Sequence, residues 1–453
     1  MSGDNALKHT LKTRHITMIA LGGVIGAGLF VGSGAIISKA GPAAILSYLI
    51  GGLIVTLVMF MLGEMAARNP DSGSFSTYAS DYLGEWAGYT VGWLYWFKWM
   101  ITITLEALLL GAIIHDFLPP VSLGVATFAI ILFVNSMNLY SVKVFGELEY
   151  WLSFIKVAAI IIFLILGVSI LLGFQSTIPA PGLTNLTLPG GFIPNGISPV
   201  LAGVVVAIFA FDGSEIAAIA AGESENPKKD VVNAIRSVML RVLIFYFGSV
   251  SIIILCLPWT DTAALQSPYV ALFSLAGFPG AATAMKIVLF VSFLSVMNSG
   301  VYTASRMLFS LSQRGFAPTL FAKTSPRGIP LNALMLSMVI CLVVLLAYFL
   351  SGGDFFLILA ESSGSLIIVV WLFIVVAHFV MRRKSGNVHD DNQFKAWFYP
   401  YSNWLTIITL ITVLVSEVLN PDSRFQFWFT VVVVIMAVGS YFISPIGKRI
   451  TKR

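Results

Sequence analysis

Apolar runs of about twenty residues, parted by short polar connections, recur along the whole chain. About twenty apolar residues is the length of helix that crosses a bilayer core. On that measure the pattern predicts spans at 16–37, 42–65, 86–114, 121–139, 151–173, 197–221, 237–258, 283–310, 331–350, 355–380, 402–419 and 425–443. An even count of twelve puts both termini on one side. The expected fold is an all-α integral membrane bundle.

Two of these runs are interrupted near mid-length by glycines. The first contains Gly22-Gly23-Val24-Ile25-Gly26-Ala27-Gly28-Leu29-Phe30, and the sixth contains Phe209-Ala210-Phe211-Asp212-Gly213-Ser214-Glu215. Non-helical backbone survives at membrane depth only where it is buried in protein or lines a cavity. Matched interruptions in two halves of a membrane protein point to a transporter's midplane site. The separation of five spans predicts two inverted five-helix units, 16–173 and 197–380, with two appended helices at 400–445. Short tails, 1–15 and 446–453, complete the chain. The longest outer connection, Gln175 to Gly196, is rich in Pro, Gly, Thr and Asn and too polar to span.

Composition sharpens the class. Of 453 residues, 58% are hydrophobic and 10% charged, where soluble domains carry about 25% charged residues. The membrane class follows. The net charge of +5 does not indicate nucleic acid, because Lys and Arg lie in short segments between spans and form no basic, aromatic-laced face. Assigned alternately to the two sides, 21 of the Lys and Arg residues fall on the side of the termini and only Lys39 and Arg424 on the other. The termini are therefore expected in the cytoplasm and the protein in the cell membrane. The basic start (Lys8, Lys12, Arg14) resembles that of a signal peptide, but the run behind it is long enough to be a retained helix. Cys256 and Cys341 sit in different spans and indicate neither metal nor redox chemistry.

At the first break, the small residues Gly26, Ala27 and Gly28 let a solute approach the amide nitrogens closely. The helix resuming there offers unsatisfied N–H groups and its positive dipole end, a seat for a carboxylate. The alternative is a small-residue packing seam, which Gly22 and Gly26 fit equally well. At the second break, Asp212 and Glu215 lie within one helical turn, deep in an apolar span. Carboxylates in that setting are costly and functional by default. Phe209 and Phe211 flank the break and are placed to close over a solute, while freed carbonyls are placed to accept from an ammonium group. Gly213 and Glu215 also have a structural reading, as the residues that hold the broken backbone.

Lys156 in span five reads either as a snorkelling lysine or as an ammonium that replaces a sodium ion at the first break and loses its proton when desolvated. Glu106 in span three faces the cavity or a buried partner. Lys98, two turns earlier on that span, is too distant for an intimate pair with it. Lys286 reads as a snorkelling residue. The aromatics of span three are packing and interfacial residues, and His115 and His378 are structural. No phosphate loop, zinc-ligand spacing or nucleophile elbow is present. No cofactor, metal or direct use of ATP is expected, and no enzyme.

The chain resembles amino acid permeases of the amino acid–polyamine–organocation superfamily over nearly its whole length. The resemblance rests on Leu11-Lys12-Thr13-Arg14-His15, Pro70-Asp71-Ser72-Gly73-Ser74-Phe75, Ala220-Ala221-Gly222-Glu223-Ser224-Glu225-Asn226-Pro227 and Asn298-Ser299-Gly300-Val301-Tyr302. Gly84-Glu85-Trp86-Ala87-Gly88-Tyr89 and Gly146-Glu147-Leu148-Glu149-Tyr150-Trp151 bring it closest to 4-aminobutyrate permeases. That similarity implies the leucine-transporter-like fold and proton-driven uptake of a small amino acid by alternating access. It implies amides of Ala27 and Gly28 for the substrate carboxylate, and carbonyls of Val24, Phe209 and Asp212 for its amine. Phe209 would be the gate and Lys156 the coupling lysine. Asp212 and Lys98 stand where relatives carry uncharged residues. A non-transporting sensor in the same fold is one rival reading, and such sensors carry a long soluble tail where this chain has about fifteen residues before its first span. An exchanger is the other.

Overall fold

The structure, a computed structural model, describes residues 11–22, 24–174, 180–277, 280–351, 355–385, 394–421 and 424–443. Gly23, the start of the 175–196 connection, residues 1–10 of the N-terminal tail and the whole tail 446–453 lie outside the described residues. Each expected run is helical over most of its described residues. The first run forms α1 (Thr13–Gly22), α2 (Ala27–Phe30) and α3 (Gly32–Ala40), followed by α4 (Ala44–Arg68). A helix with no counterpart in the apolar pattern, α5 (Ser74–Leu83), precedes α6 (Glu85–Phe117), α7 (Leu123–Met137) and α8 (Val142–Leu171). The sixth run gives α9 (Ile197–Ala210) and α10 (Ile216–Ala220). Next, α11 (Pro227–Arg241) passes through a π-helical turn at Val242–Phe247 into α12 (Gly248–Cys256). Two short helices, α13 (Thr262–Gln266) and α14 (Pro268–Leu275), lead to α15 (Ala281–Gln313), α16 (Leu331–Leu350), α17 (Phe355–Ser385), α18 (Tyr401–Leu419) and α19 (Arg424–Ile443).

Among the described residues there is no strand, only one isolated backbone pairing between Leu11 and Ser224. Nine helical stretches among the described residues are long and apolar enough to cross a membrane, with Leu123–Met137 and Ile197–Ala210 as shorter apolar helices. This is a multi-pass membrane bundle.

The apolar pattern cuts α8 short. Its helix begins at Val142 rather than at 151, because the side chain of Ser141 caps it by accepting from the amide of Val144 at 3.2 Å. The polar first turns (Lys143, Glu147, Glu149) interrupt the hydrophobic signal without interrupting the helix.

Burial ranks the helices. The most apolar stretch of α6 is 78% buried and that of α19 only 22%, so α6 is central and α19 peripheral. α6 packs on α5, α7, α15, α16 and α17. The two interrupted helices lie side by side: α2 and α3 pack on α9, and α1 packs on α10. The two breaks therefore meet in the middle of the bundle, with α6 and α15 alongside.

Candidate functional site

The first break is the stretch Val24–Gly26, where the backbone leaves the helix; Gly26 is fully extended (φ −145°, ψ −152°) and no side chain on its own strand caps α2. The cap comes from α6. Glu106, 3% exposed, accepts from the Ala27 amide at 3.4 Å through Oε1, while its Oε2 has no partner among the described residues. A Cβ on Gly26 would lie 3.0 Å from Glu106 Oε1 and 2.8 Å from Val296 Cγ2. Glycine at that position is what lets the carboxylate reach the helix end. Gly28 faces elsewhere. Its Cβ would fall 2.4 Å from the Ala210 Cα, so Gly28 is where the two broken helices touch backbone to backbone.

The second break runs from Phe211 to Glu215. Gly213 has φ +92°, a conformation that side chains rarely adopt. Asp212 forms an ion pair with Lys98, both buried. The Lys98 ammonium also sits 3.7 Å above the Trp99 ring, a cation–π contact. Asp212 Oδ1 has no partner among the described residues. Glu215 receives the Tyr95 hydroxyl on Oε1 at 2.9 Å, and its Oε2 is likewise unpartnered.

Tyr95, Lys98, Trp99 and Glu106 all come from α6 at spacings of three, four and seven, which places them on one face of that helix. Thr102, on the same face, meets Ser363 of α17 at 3.0 Å. One face of α6 thus serves both breaks.

The two phenylalanines differ. Phe209 is half-buried with its Cβ against Gly364 of α17, and its carbonyl accepts from the Asp212 amide at 3.2 Å. Phe211 is fully buried and its ring packs on Tyr246 (4.5 Å between centroids) and Tyr48 (6.2 Å). Phe211 is therefore part of the packing behind the break, on the α4 side.

Tyr246 gave no sequence signal; in an apolar run it reads as one more core aromatic. Its hydroxyl lies 2.8 Å from the Ala210 carbonyl and 3.3 Å from that of Val24. It thus serves freed carbonyls of both breaks, from the π-helical turn.

Lys156 is fully buried inside the bundle, so it does not snorkel to a lipid surface. Its Nζ donates to Ser295 Oγ at 2.7 Å. Ser295 in turn donates to Glu149, which also accepts from Ser153 at 3.2 Å and Asn298 at 3.1 Å. Asn298 accepts from Asn138 at 3.0 Å. The sequence showed Glu149 and Asn298 only inside motifs; the polar chain linking them to Lys156 spans α7, α8 and α15.

The remaining motif residues close one end of the bundle. Leu11 exchanges backbone hydrogen bonds with Glu223 and Glu225 (3.2 and 3.1 Å), and Glu223 is held by Arg306 at 2.9 Å and Tyr302 at 2.8 Å. Towards the other end of α15, Lys286 pairs with Asp116 at 2.9 Å. His378 lies buried between Glu64 (3.1 Å) and Asn403 (3.0 Å). Among the described residues no cluster of His, Cys, Asp and Glu is arranged to hold a metal.

A helical membrane bundle with two interrupted helices meeting at a buried polar centre defines a multi-pass membrane protein built around an internal site. The chain matches the amino acid permease family model over residues 15–424. The gamma-aminobutyric acid permease of Bacillus subtilis (strain 168) is 44% identical over 441 residues, covering 97% of this chain and 94% of that protein. The gamma-aminobutyric acid permease of Escherichia coli (strain K12) is 39% identical over 441 residues, with the same coverage of 97% and 94%. The chain belongs to the amino acid permease family. It is an amino acid transporter and not an enzyme, and the family resemblance read from its motifs is borne out.

Proposed function

We propose that the protein is a secondary active transporter that imports 4-aminobutyrate, or a small neutral or hydroxylated α-amino acid, together with protons by alternating access. The bundle crosses the membrane twelve times in this reading, as two inverted five-helix units and two appended helices. The side-by-side packing of α1 with α10, and of α3 with α9, supports the pairing of the two units. The excess of Lys and Arg on one set of connections supports cytoplasmic termini in the cell membrane.

The observation that carries the reading is the set of buried charges at the two breaks: Glu106 on the Ala27 amide, and Lys98 on Asp212. Charges are retained in a membrane interior where they serve a solute or proton path. The substrate carboxylate goes to the amides of Ala27 and Gly28, where it competes with Glu106 for the first. Its amine goes to the carbonyls of Val24, Phe209 and Asp212. Phe209 closes over the site, with Phe211 behind it. Lys156 occupies the place of a coupling cation and exchanges its proton during the cycle. The relatives named as gamma-aminobutyric acid permeases support 4-aminobutyrate as the first substrate to try. Neither ATP nor nucleic acid takes part.

Uptake of labelled 4-aminobutyrate into proteoliposomes under a pH gradient tests this, with neutral, acidic, basic, aromatic and γ-amino acids as competitors. Accumulation indifferent to replacing Na⁺ by K⁺ is expected. Exchange without net accumulation would make the protein an exchanger, and binding without either would make it a sensor. Methylating the substrate carboxylate should weaken binding, since the ester lacks the charge that the helix end stabilises.

A further inference from the structure

The helix α11 ends on a buried charge that makes no ion pair among the described residues. Arg241 is 2% exposed, and neither Nη1 nor Nη2 has a hydrogen-bond partner among the described residues. It continues the buried face of Val231, Ala234, Ile235 and Val238 on a helix that packs against α1, α4 and α10. In the sequence it counts as a charge flanking span seven, at the level of lipid headgroups; its burial removes that role. Arginine stays ionised in proteins, and a buried, unpaired charge is expensive to keep. The π-helical turn that carries Tyr246 to both breaks follows at once, and such turns are frequent at functional sites.

A complementary group lies at the start of α10, a helix packed on α11. Glu215, fully buried at the start of α10, accepts from Tyr95 on Oε1, and its Oε2 has no partner among the described residues. α10 packs on α11, so the two groups lie on neighbouring elements. The other carboxylate of the break, Asp212, is already paired with Lys98. Two opposite charges thus sit on adjacent elements, each with unsatisfied atoms, and make no bond to each other.

We propose that Arg241 is a positioning residue of the transport cycle, forming an ion pair with Glu215 in a second conformation in which α10 has shifted against α11. The inference rests on the transport reading above. Leaving both groups unsatisfied raises the energy of the conformation described here, and pairing them lowers the other. That difference drives the broken helix onward, because a conformational equilibrium moves only through interactions that differ between its two states.

The test uses purified full-length protein and 4-aminobutyrate, with three readouts: thermal stability, equilibrium binding and uptake. Arg241→Met should leave the unfolding midpoint unchanged or raised, because no favourable contact is lost in this conformation. Binding should stay within twofold, while uptake falls at least tenfold. Glu215→Gln, which keeps an acceptor for Tyr95, should lose uptake to a similar extent. The double variant should be no worse than either single one, and Arg241→Lys should recover part of the rate. A lowered midpoint with a proportional loss of uptake would make Arg241 a structural residue and overturn the proposal. So would multiplying losses in the double variant, or collapse of binding in Arg241→Met, which would make the guanidinium a substrate ligand. If the unmodified protein neither binds nor carries 4-aminobutyrate, the substrate reading fails. The stability of Arg241→Met still reports in that case on whether the buried charge is uncompensated.

Discussion

The ammonium of Lys98 closes on the carboxylate of Asp212 across the second helix break, with both side chains buried and the Trp99 ring beneath the cation. The ion pair carries no net charge. The Asp212 charge is not freely available to a substrate, and the pair as a unit sets the electrostatics of the break. Removing one member of a buried pair strands the other and costs about 3–5 kcal/mol, whereas removing both is far milder. Asp212→Asn and Lys98→Met should each lower thermal stability and abolish uptake. The double variant should recover most of the stability. Its competition panel then shows whether the pair excludes aspartate and glutamate, as expected if Asp212 repels acidic side chains. No recovery in the double variant would mean that the two residues act separately.

The glycines of the first break separate by what faces them. Gly28 abuts the backbone of Ala210, which cannot yield, so Gly28→Val should fail to fold and reveal nothing about binding. Gly26 abuts the ends of two side chains, Val296 and Glu106. Gly26→Ala should therefore fold and push Glu106 away from the Ala27 amide. Binding of 4-aminobutyrate should change by roughly tenfold, equivalent to about 1.4 kcal/mol, measured by calorimetry on protein whose unfolding midpoint is checked first. Unchanged affinity would separate Glu106 from the substrate seat.

Much of this was legible in the sequence, for physical reasons that can be named. Span length is set by the bilayer, so the apolar runs located the helices; the two breaks stood out because glycine and carboxylates are costly there. The beginning of α8 was not legible, because Ser141 starts a helix whose first turns are polar. The helices α5, α13 and α14 carry too few apolar residues in a row to register as spans. Partners were harder still. Lys98 and Glu106 lie on one face of α6, a spacing that sequence does show, but nothing in it says that Lys98 reaches Asp212. Tyr246 and Arg241 were invisible as site residues. One looked like core and the other like a flanking charge until the fold brought both to the broken helices.

Lys156 heads a polar chain that runs through Ser295 to Glu149. If this lysine carries the coupling proton, Lys156→Ala should lose pH-driven accumulation more severely than exchange of substrate across the membrane. Glu149→Gln should show the same split, since it removes the acidic end of the chain. Ser295→Ala, which deletes only the connecting hydroxyl, should retain part of the accumulation. Counterflow and net uptake measured on the same proteoliposomes give the comparison. An obligate requirement for Na⁺ in the purified protein would overturn this role for Lys156.

Tyr246 combines two functions in one side chain, and a single pair of substitutions separates them. Its ring packs at a tilt on Phe211, 4.5 Å between centroids, and its hydroxyl serves the carbonyls of Ala210 and Val24. Tyr246→Phe keeps the ring and leaves two buried acceptors without their donor, a loss of about 1–3 kcal/mol for an unsatisfied buried group. Stability should fall by that order, and uptake should fall further, because both carbonyls belong to backbone that must hold its unwound form. Tyr246→Ala removes the ring as well and should unfold the region around Phe211. Thermal unfolding and uptake, measured on both variants, decide between hydroxyl and ring. Full activity in Tyr246→Phe would reduce Tyr246 to packing and return the freed carbonyls of the breaks to the substrate alone.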